Sequence, residues 1–394
     1  MEKVKILKNH HDFYLKELKN VLNFWYEYGY DKINGGFYTY LDQEGKVYCE
    51  DKSIWAQGRA VYIFAEAYRL IEPNKQWLEV AEATFSFMQN HAFLNQDKMY
   101  FKITKDGRPL QHRRYWFSEA FYIMAALALF QATNLDKYLL EARRIFKVIS
   151  DKYLGIKEME PKFNPKNYHL QDLSSSMIFY SIAQMLKNID TVNKEAYEQV
   201  LKLARGNILE KHYQPKVKAL LENVTKTGEI EDSPKGRLIN PGHSLECAWF
   251  LLEEQNLSEE DLKKVINIAL WSMDKGWDEL AGGIKYFVDA FDKPLEQLEA
   301  DLKLWWPHSE ALIVFLKLYL TTKTDSYFEI YQKVFEFTKT HFIIDDKEWI
   351  GYLRYDNTPL SLIKGNLFKG PFHIPRMLML NYLEIDNYLK NLDT

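Results

Sequence analysis

The sequence predicts an all-α toroid: twelve helices in six pairs, closed into a ring, with short β-hairpins gathered at one end. Three observations predict it. Helical periodicity dominates the chain, segments apolar on every side alternate with amphipathic ones, and the apolar set recurs at nearly constant spacing. Aligned on one residue near each start (Arg59, Glu119, Met177, His243, Glu310, His373), successive apolar segments lie 60, 58, 66, 67 and 63 residues apart. Met177 is the one apolar residue in that series. An open stack of repeats needs polar caps on its terminal units. The last apolar segment, Phe372–Leu383, is as apolar as the middle ones, so the ring is expected to close.

In chain order, Asp12–Tyr28 is amphipathic, with Phe13, Leu18, Val21, Leu22 and Trp25 on one side. Ser53–Ile71 is apolar almost all round and should be buried. The contrast then repeats. Amphipathic outer helices are expected near Lys75–His91, Asp136–Asp151, Lys194–Leu209, Ser258–Lys275 and Ser326–His341. Apolar inner helices are expected near Tyr115–Gln131, Leu173–Leu186, Gly242–Leu252, Pro307–Leu320 and Phe372–Leu383. Aromatic, strand-like runs flank turn residues at Gly35–Tyr48, Met99–Leu110, Gly282–Leu295 and Trp349–Leu362. Each reads as a β-hairpin, with Asp106-Gly107 the clearest turn. Each also precedes an inner helix, so the hairpins should cluster where the inner helices begin. That end is expected to carry the chemistry.

Composition sets the outer bounds. At 394 residues the chain is larger than one layered core usually becomes, yet no linker divides it. A closed repeat forming one domain, residues 1–394, is the expectation. Net charge is −4 and no basic run stands out, which argues against a nucleic-acid partner. Cys49 and Cys247 are too few for a disulfide framework or zinc site and read as reduced thiols. The N-terminal MEKVKILKNHHDF has no apolar leader core, and no segment offers 18 unbroken apolar residues. A soluble, cytoplasmic protein with no membrane partner is expected. Aromatic residues make up 15% of the chain, a level that suits sugar recognition but equally fills a large core. No His-Glu-x-x-His, DxDxDG loop or paired CxxC supports a metal site.

The helix starts supply the candidate site. In NPGHSLECAW, Pro241 and Gly242 open a helix whose His243, Glu246 and Cys247 share a face. His243 alone reads equally as a cap, and Glu246 as part of a capping arrangement. Pro307 opens a helix in WWPHSEAL, where Ser309-Glu310 lead into an apolar run, and Ser118-Glu119 repeats that arrangement in WFSEAF. Arg59 is set among apolar residues and needs an anion or acceptors, while His373 and Arg376 stand three apart in GPFHIPR. A network of Arg59, Glu246, Glu310 and Arg376 satisfies buried charge without any catalysis. Two histidines converging on one cavity suggest more, because imidazole takes up and returns protons near neutral pH. His308 reads as structural. Trp305, Trp306 and Trp116 suit core or rim packing.

Five blocks make the chain resemble the N-acylglucosamine 2-epimerase family: GGFYTYLDQEGKVYCEDKSIWAQGR, FKITKDGRPLQHRRYWFSEAFYIMA, NPGHSLECAWFLL, KLWWPHSEALIVFL and IKGNLFKGPFHIPR. They run from about Gly35 to Arg376. The resemblance implies an (α/α)6 barrel and reversible C2 epimerisation of N-acetylglucosamine and N-acetylmannosamine. It implies no redox cofactor or metal, with ATP as a candidate allosteric effector and a homodimer as a candidate assembly. By motif, it puts the acid–base pair on His243 and His373, with Arg59 and Glu310 beside them. Candidate substrate contacts are Glu246, Arg376, Trp116, Glu119 and Met177. In place of an R-P-x-K-type segment this chain reads YHLQDLSSSM, Tyr168–Met177, with Gln171 where the family has Lys. The related cellobiose 2-epimerases and mannose isomerases carry a further histidine on the following helix; Met177-Ile178-Phe179-Tyr180 has none, which favours the amino-sugar reading.

The chemistry implied is ring opening, removal of the C2 proton by one histidine, and return of a proton by the other from the opposite face. Arg59 would stabilise charge on O1 or O2, with Glu310 and Glu246 orienting a histidine or holding hydroxyls. The alternatives are another aldose 2-epimerase or aldose–ketose isomerase, a glycoside hydrolase using Glu119 with Glu310, or a non-catalytic binding protein.

Overall fold

The computed structural model describes residues 2–113, 115–158, 164, 166–167, 169–254 and 256–392. Among them are twelve α-helices: α1 (Glu2–Phe24), α2 (Ile54–Leu70), α3 (Lys75–His91), α4 (Phe117–Thr133), α5 (Asp136–Tyr153), α6 (Leu173–Ile189), α7 (Lys194–Gly206), α8 (Pro241–Leu252), α9 (Glu259–Gly276), α10 (Trp305–Thr322), α11 (Asp325–Phe342) and α12 (His373–Leu392). The even-numbered helices form the inner ring. Each packs on the next, from α2 through α4, α6, α8 and α10 to α12, and α12 closes on α2. The odd-numbered helices lie outside, each packed chiefly against one inner helix, with α1 on α12.

The sequence explains which helix goes where. In α4 every residue from Ser118 to Leu129 is buried, because FSEAFYIMAALALFQAT offers no polar face. In α7 only Tyr197, Val200 and Ala204 are buried, one stripe of a charged helix. Inner helices can approach closely where a side chain is missing: a Cβ on Gly58 of α2 would sit 2.6 Å from the Phe121 carbonyl oxygen of α4.

Inner-to-outer connections are short, so the long outer-to-inner connections all lie where the inner helices begin. Hairpins form there at Tyr40–Leu41 with Val47–Cys49, Lys98–Ile103 with Pro109–His112, and Tyr352–Leu353 with Pro359–Ser361. The hairpin expected at Gly282–Leu295 does not form. Its strand Val288–Asp289 pairs instead with Leu238–Ile239, just before α8. Two buried lysines brace this end. Lys52 reaches Asp31 Oδ2 at 2.7 Å and the Lys105 carbonyl at 2.9 Å. Lys303 repeats the device, reaching Asp278 Oδ2 at 3.0 Å and the Tyr355 carbonyl at 2.7 Å. No helix among the described residues is long and apolar enough to cross a membrane.

Candidate active site

Asn240 caps α8 by accepting the His243 N–H at 3.2 Å, and Pro241 takes the first helical position, where its missing N–H is harmless. The cap sets the His243 ring at the mouth of the inner ring. Its Nδ1 lies 2.9 Å from Glu222 Oε1. Glu222 is itself held by backbone bonds on both sides: its N–H donates to the Leu238 carbonyl, and its carbonyl accepts from Leu173 N–H, each at 2.9 Å.

Two inner helices further round the ring, α12 opens on His373. Its Nδ1 lies 2.7 Å from Glu310 Oε1, and the other oxygen of that carboxylate accepts Trp249 Nε1–H at 2.6 Å. Arg376, one helical turn on, donates from Nη2 to Glu310 Oε1 at 2.7 Å and Glu246 Oε1 at 2.6 Å. Both histidines thus present Nδ1 to a carboxylate. A ring with its hydrogen on Nδ1 has Nε2 as its basic nitrogen. The Trp306 ring lies 5.2 Å from the His243 ring and 5.6 Å from the His373 ring, spanning the two.

The electrostatics follow from burial. Desolvation, with the Arg376 charge second, holds His373 well below the ordinary imidazole range, so it is neutral at pH 7. Burial pushes the Glu310 carboxyl up, against the pull of Arg376, while Glu310 and Glu246 keep Arg376 charged despite its own burial. Arg59 is held down to about 10 by burial, with Glu246 acting upward, and remains a cation. Its guanidinium lies 4.2 Å from the Phe121 ring centre and 4.8 Å from that of Phe372. Among the described residues no carboxylate forms a salt bridge with it, and its Nε has no hydrogen-bond partner.

These groups surround one cavity of two adjoining lobes, about 310 and 410 Å3, which share Trp55, Arg59, His243 and Glu246. Met177 and Arg376 line the smaller lobe, and His373 the larger. Glu310 stands behind His373, fully buried. Glu119 and Trp116 are not brought to the cavity. Glu119 accepts the Met99 N–H at 2.8 Å and faces Lys98 at 3.1 Å, tying the neighbouring strand to α4. Trp116 packs edge-on against Phe179 and Tyr153. Gln171 stays one layer back, 3.5 Å from His212 Nε2, and Tyr168 lies outside the described residues.

Sequence reasoning missed Glu222 and Trp249, and gave Trp305 and Trp306 only packing roles although both also line the larger lobe. Glu222 lies between strands and carries no periodic signal. A groove of about 610 Å3 at the far end of the ring is larger than either lobe alone, but its charges satisfy one another: Arg205 meets Asp261, and Lys187 lies 3.2 Å from Glu198. Glu246, Glu310 and His373 also converge closely enough to hold a metal ion. Arg376 already sits on both of those carboxylates, supplying the positive charge a metal would bring.

The chain matches the model of the N-acylglucosamine 2-epimerase (GlcNAc 2-epimerase) family over residues 36–370. It is 34% identical over 375 residues to an N-acylglucosamine 2-epimerase of Homo sapiens, covering 92% of this chain and 87% of that one. It is 35% identical over 376 residues to the Mus musculus enzyme of the same name, covering 92% and 88%. Among solved structures, a cellobiose 2-epimerase from Bacillus thermoamylovorans superposes with a TM-score of 0.81 at 20% identity, covering 97% of this chain and 100% of that one. At that identity the likeness is one of fold.

Proposed function

The chain belongs to the N-acylglucosamine 2-epimerase family, and on that premise we propose that it interconverts N-acetyl-D-glucosamine and N-acetyl-D-mannosamine. The observation that carries the proposal is the pair His243 and His373, each with a carboxylate on Nδ1, lining one cavity with Arg59.

The C2 hydrogen of a closed pyranose is not acidic. In the open-chain aldehyde, removal of that hydrogen as a proton leaves an enolate, with its charge on O1. One imidazole Nε2 takes the C2 proton; the protonated Nε2 of the other delivers a proton to the opposite face, so the centre inverts. The net proton count is unchanged, and exchange with water resets the two rings. Arg59 is placed to stabilise the O1 charge, an oxyanion role worth roughly 100-fold or more in rate. No carboxylate among the described residues forms a salt bridge with it, which leaves that charge for a ligand. Glu310 and Glu222 hold the ring tautomers and support each imidazolium as it forms.

The reaction leaves the sugar's oxidation state unchanged, so the proposal includes no redox cofactor; it includes no metal, because Arg376 already supplies positive charge to Glu246 and Glu310. It also takes residues 1–394 as one domain, because the ring joins α12 to both α1 and α2. An ATP effector, a homodimer and a cytoplasmic location belong to the proposal on the family alone. Proton NMR of N-acetylglucosamine with the protein in heavy water tests it. Deuterium at C2 together with the appearance of N-acetylmannosamine is expected; a static spectrum contradicts it.

A further inference from the structure

Arg59, Arg113 and Arg376 all line the smaller lobe, and they differ in what neutralises them. Arg376 has Glu310 and Glu246, and Glu246 is the one carboxylate among the described residues of that lobe. Among the described residues no carboxylate forms a salt bridge with Arg59 or Arg113, and both guanidinium groups pack on aromatic rings instead. Arg59 lies over Phe121 at 4.2 Å, while Arg113 lies over Phe101 at 3.6 Å and Trp55 at 5.3 Å.

These contacts set the geometry. Trp55 and Arg59 stand four residues apart on α2, so their side chains share a face, one helical turn (about 5.4 Å) apart along the axis. Arg113, resting on Trp55, is therefore stationed about one turn nearer the start of α2 than Arg59, on the same wall of the lobe. A guanidinium that stacks by its face keeps the N–H donors in its own plane free, and that fork fits the paired oxygens of a carboxylate or phosphate. Burial lowers the pKa of Arg113, and the upward pull on it comes from the Tyr115 phenol rather than a carboxylate.

Enolate formation on a neutral amino sugar uses one of these two cations, Arg59, at O1. The second has no part in that reaction, and a half-buried cation facing a lobe is costly unless a ligand brings it an anion. An open-chain sugar with O1 at Arg59 is long enough for its C6 end to span one helical turn and reach Arg113.

We infer that the smaller lobe takes amino sugars bearing an oxyanion at C6, a phosphate ester or a uronic acid carboxylate, with Arg113 as the specificity-determining residue that pairs with it. The inference rests on the C2-epimerase reading and adds a charged substrate class to the neutral one. A hydrogen-bonded charge pair of this kind contributes roughly 10- to 100-fold in binding.

The test follows C2 exchange and KM in heavy water for N-acetylglucosamine, its 6-phosphate and N-acetylglucosaminuronic acid, with the wild-type protein and Arg113→Gln. The wild type should epimerise at least one charged sugar with a KM no higher than that of the neutral sugar, and which one it takes tells phosphate from carboxylate. In Arg113→Gln that KM should rise at least about tenfold, against less than about threefold for the neutral sugar. Raising salt from about 0.05 to about 0.5 M should raise the same KM severalfold in the wild type. Failure to exchange either charged sugar, while the neutral one is turned over, overturns the inference and leaves the epimerase reading standing. An equal effect of Arg113→Gln on charged and neutral sugars overturns it too, by marking Arg113 as structural. Exchange of a charged sugar but not of the neutral one keeps the inference and removes the neutral substrate from the account. No exchange with any sugar defeats both. Should Arg113→Gln not fold, the salt dependence of the wild type decides, and a KM indifferent to salt contradicts the pairing.

Discussion

His373 Nδ1 and Arg376 Nη2 converge on the same oxygen, Glu310 Oε1, at distances of 2.7 Å each. One carboxylate thus orients the imidazole and neutralises the guanidinium beside it. The ring stays neutral through burial, yet has an anion at hand when it takes a proton.

Glu310→Gln keeps the shape of this side chain and removes its charge. Loss of a triad-type carboxylate costs up to about 10^4-fold in kcat, and we expect a fall of roughly 100-fold or more with little change in KM. Initial rates in both directions measure it. Because Arg376 keeps Glu246, the fold should survive, and thermal melting separates the two effects.

Glu222→Gln tests the equivalent contact at His243. A fall in kcat of about 10- to 100-fold is expected, the range typical when a residue orienting a functional histidine is lost. Glu222→Asp should recover less than full activity, since its shorter arm cannot reach Nδ1 from a backbone fixed on both sides. Full activity in Glu222→Gln would remove Glu222 from the account.

Arg59→Met separates function from stability. The guanidinium is desolvated with no carboxylate bridge among the described residues, so the fold gains little from its charge. Activity should drop roughly 100-fold or more, while stability in urea stays within about 1 kcal/mol of wild type. A large loss of stability would instead mark Arg59 as structural.

His308 gives a pH prediction. Its Nε2 accepts the Ile284 N–H at 2.9 Å and its Nδ1 lies 2.6 Å from the Leu304 carbonyl, so only the neutral ring satisfies both contacts. Burial, opposed by the Leu304 contact, pulls its pKa down to about 3. Below the unfolded value of about 6.5, the unfolded chain takes up a proton that the native state refuses. This histidine therefore withdraws stability as pH falls from about 6.5 towards 3, by about 1.4 kcal/mol per pH unit. His308→Gln should flatten the slope of unfolding free energy against pH by that amount between pH 6 and 4 (about 1.4 kcal/mol per unit). An unchanged slope contradicts it.

The ring is legible in the sequence because α4 and α10 have no polar face, and nothing but an interior position accommodates such helices. His243, His373, Arg59 and Glu310 are legible for a related reason: each is a polar group near the start of an apolar helix. Glu119 has the same signature, yet its carboxylate is spent on the Met99 N–H, a strand contact that only the folded chain reveals. Glu222 is illegible because backbone pairing with Leu238 and Leu173 places it, and such pairing leaves no local pattern. The strand Val288–Asp289 misleads in the same way, since its partner, Leu238–Ile239, is remote in sequence.

The account stands or falls on two bases acting on opposite faces of C2. Its most direct test is C2 hydrogen exchange in heavy water with His243→Asn and His373→Asn, each offered N-acetylglucosamine and N-acetylmannosamine separately. Each variant should exchange the C2 hydrogen of one epimer only, the two variants should select different epimers, and neither should interconvert them. Exchange of the same epimer by both variants, or interconversion by either at the wild-type rate, would contradict the account.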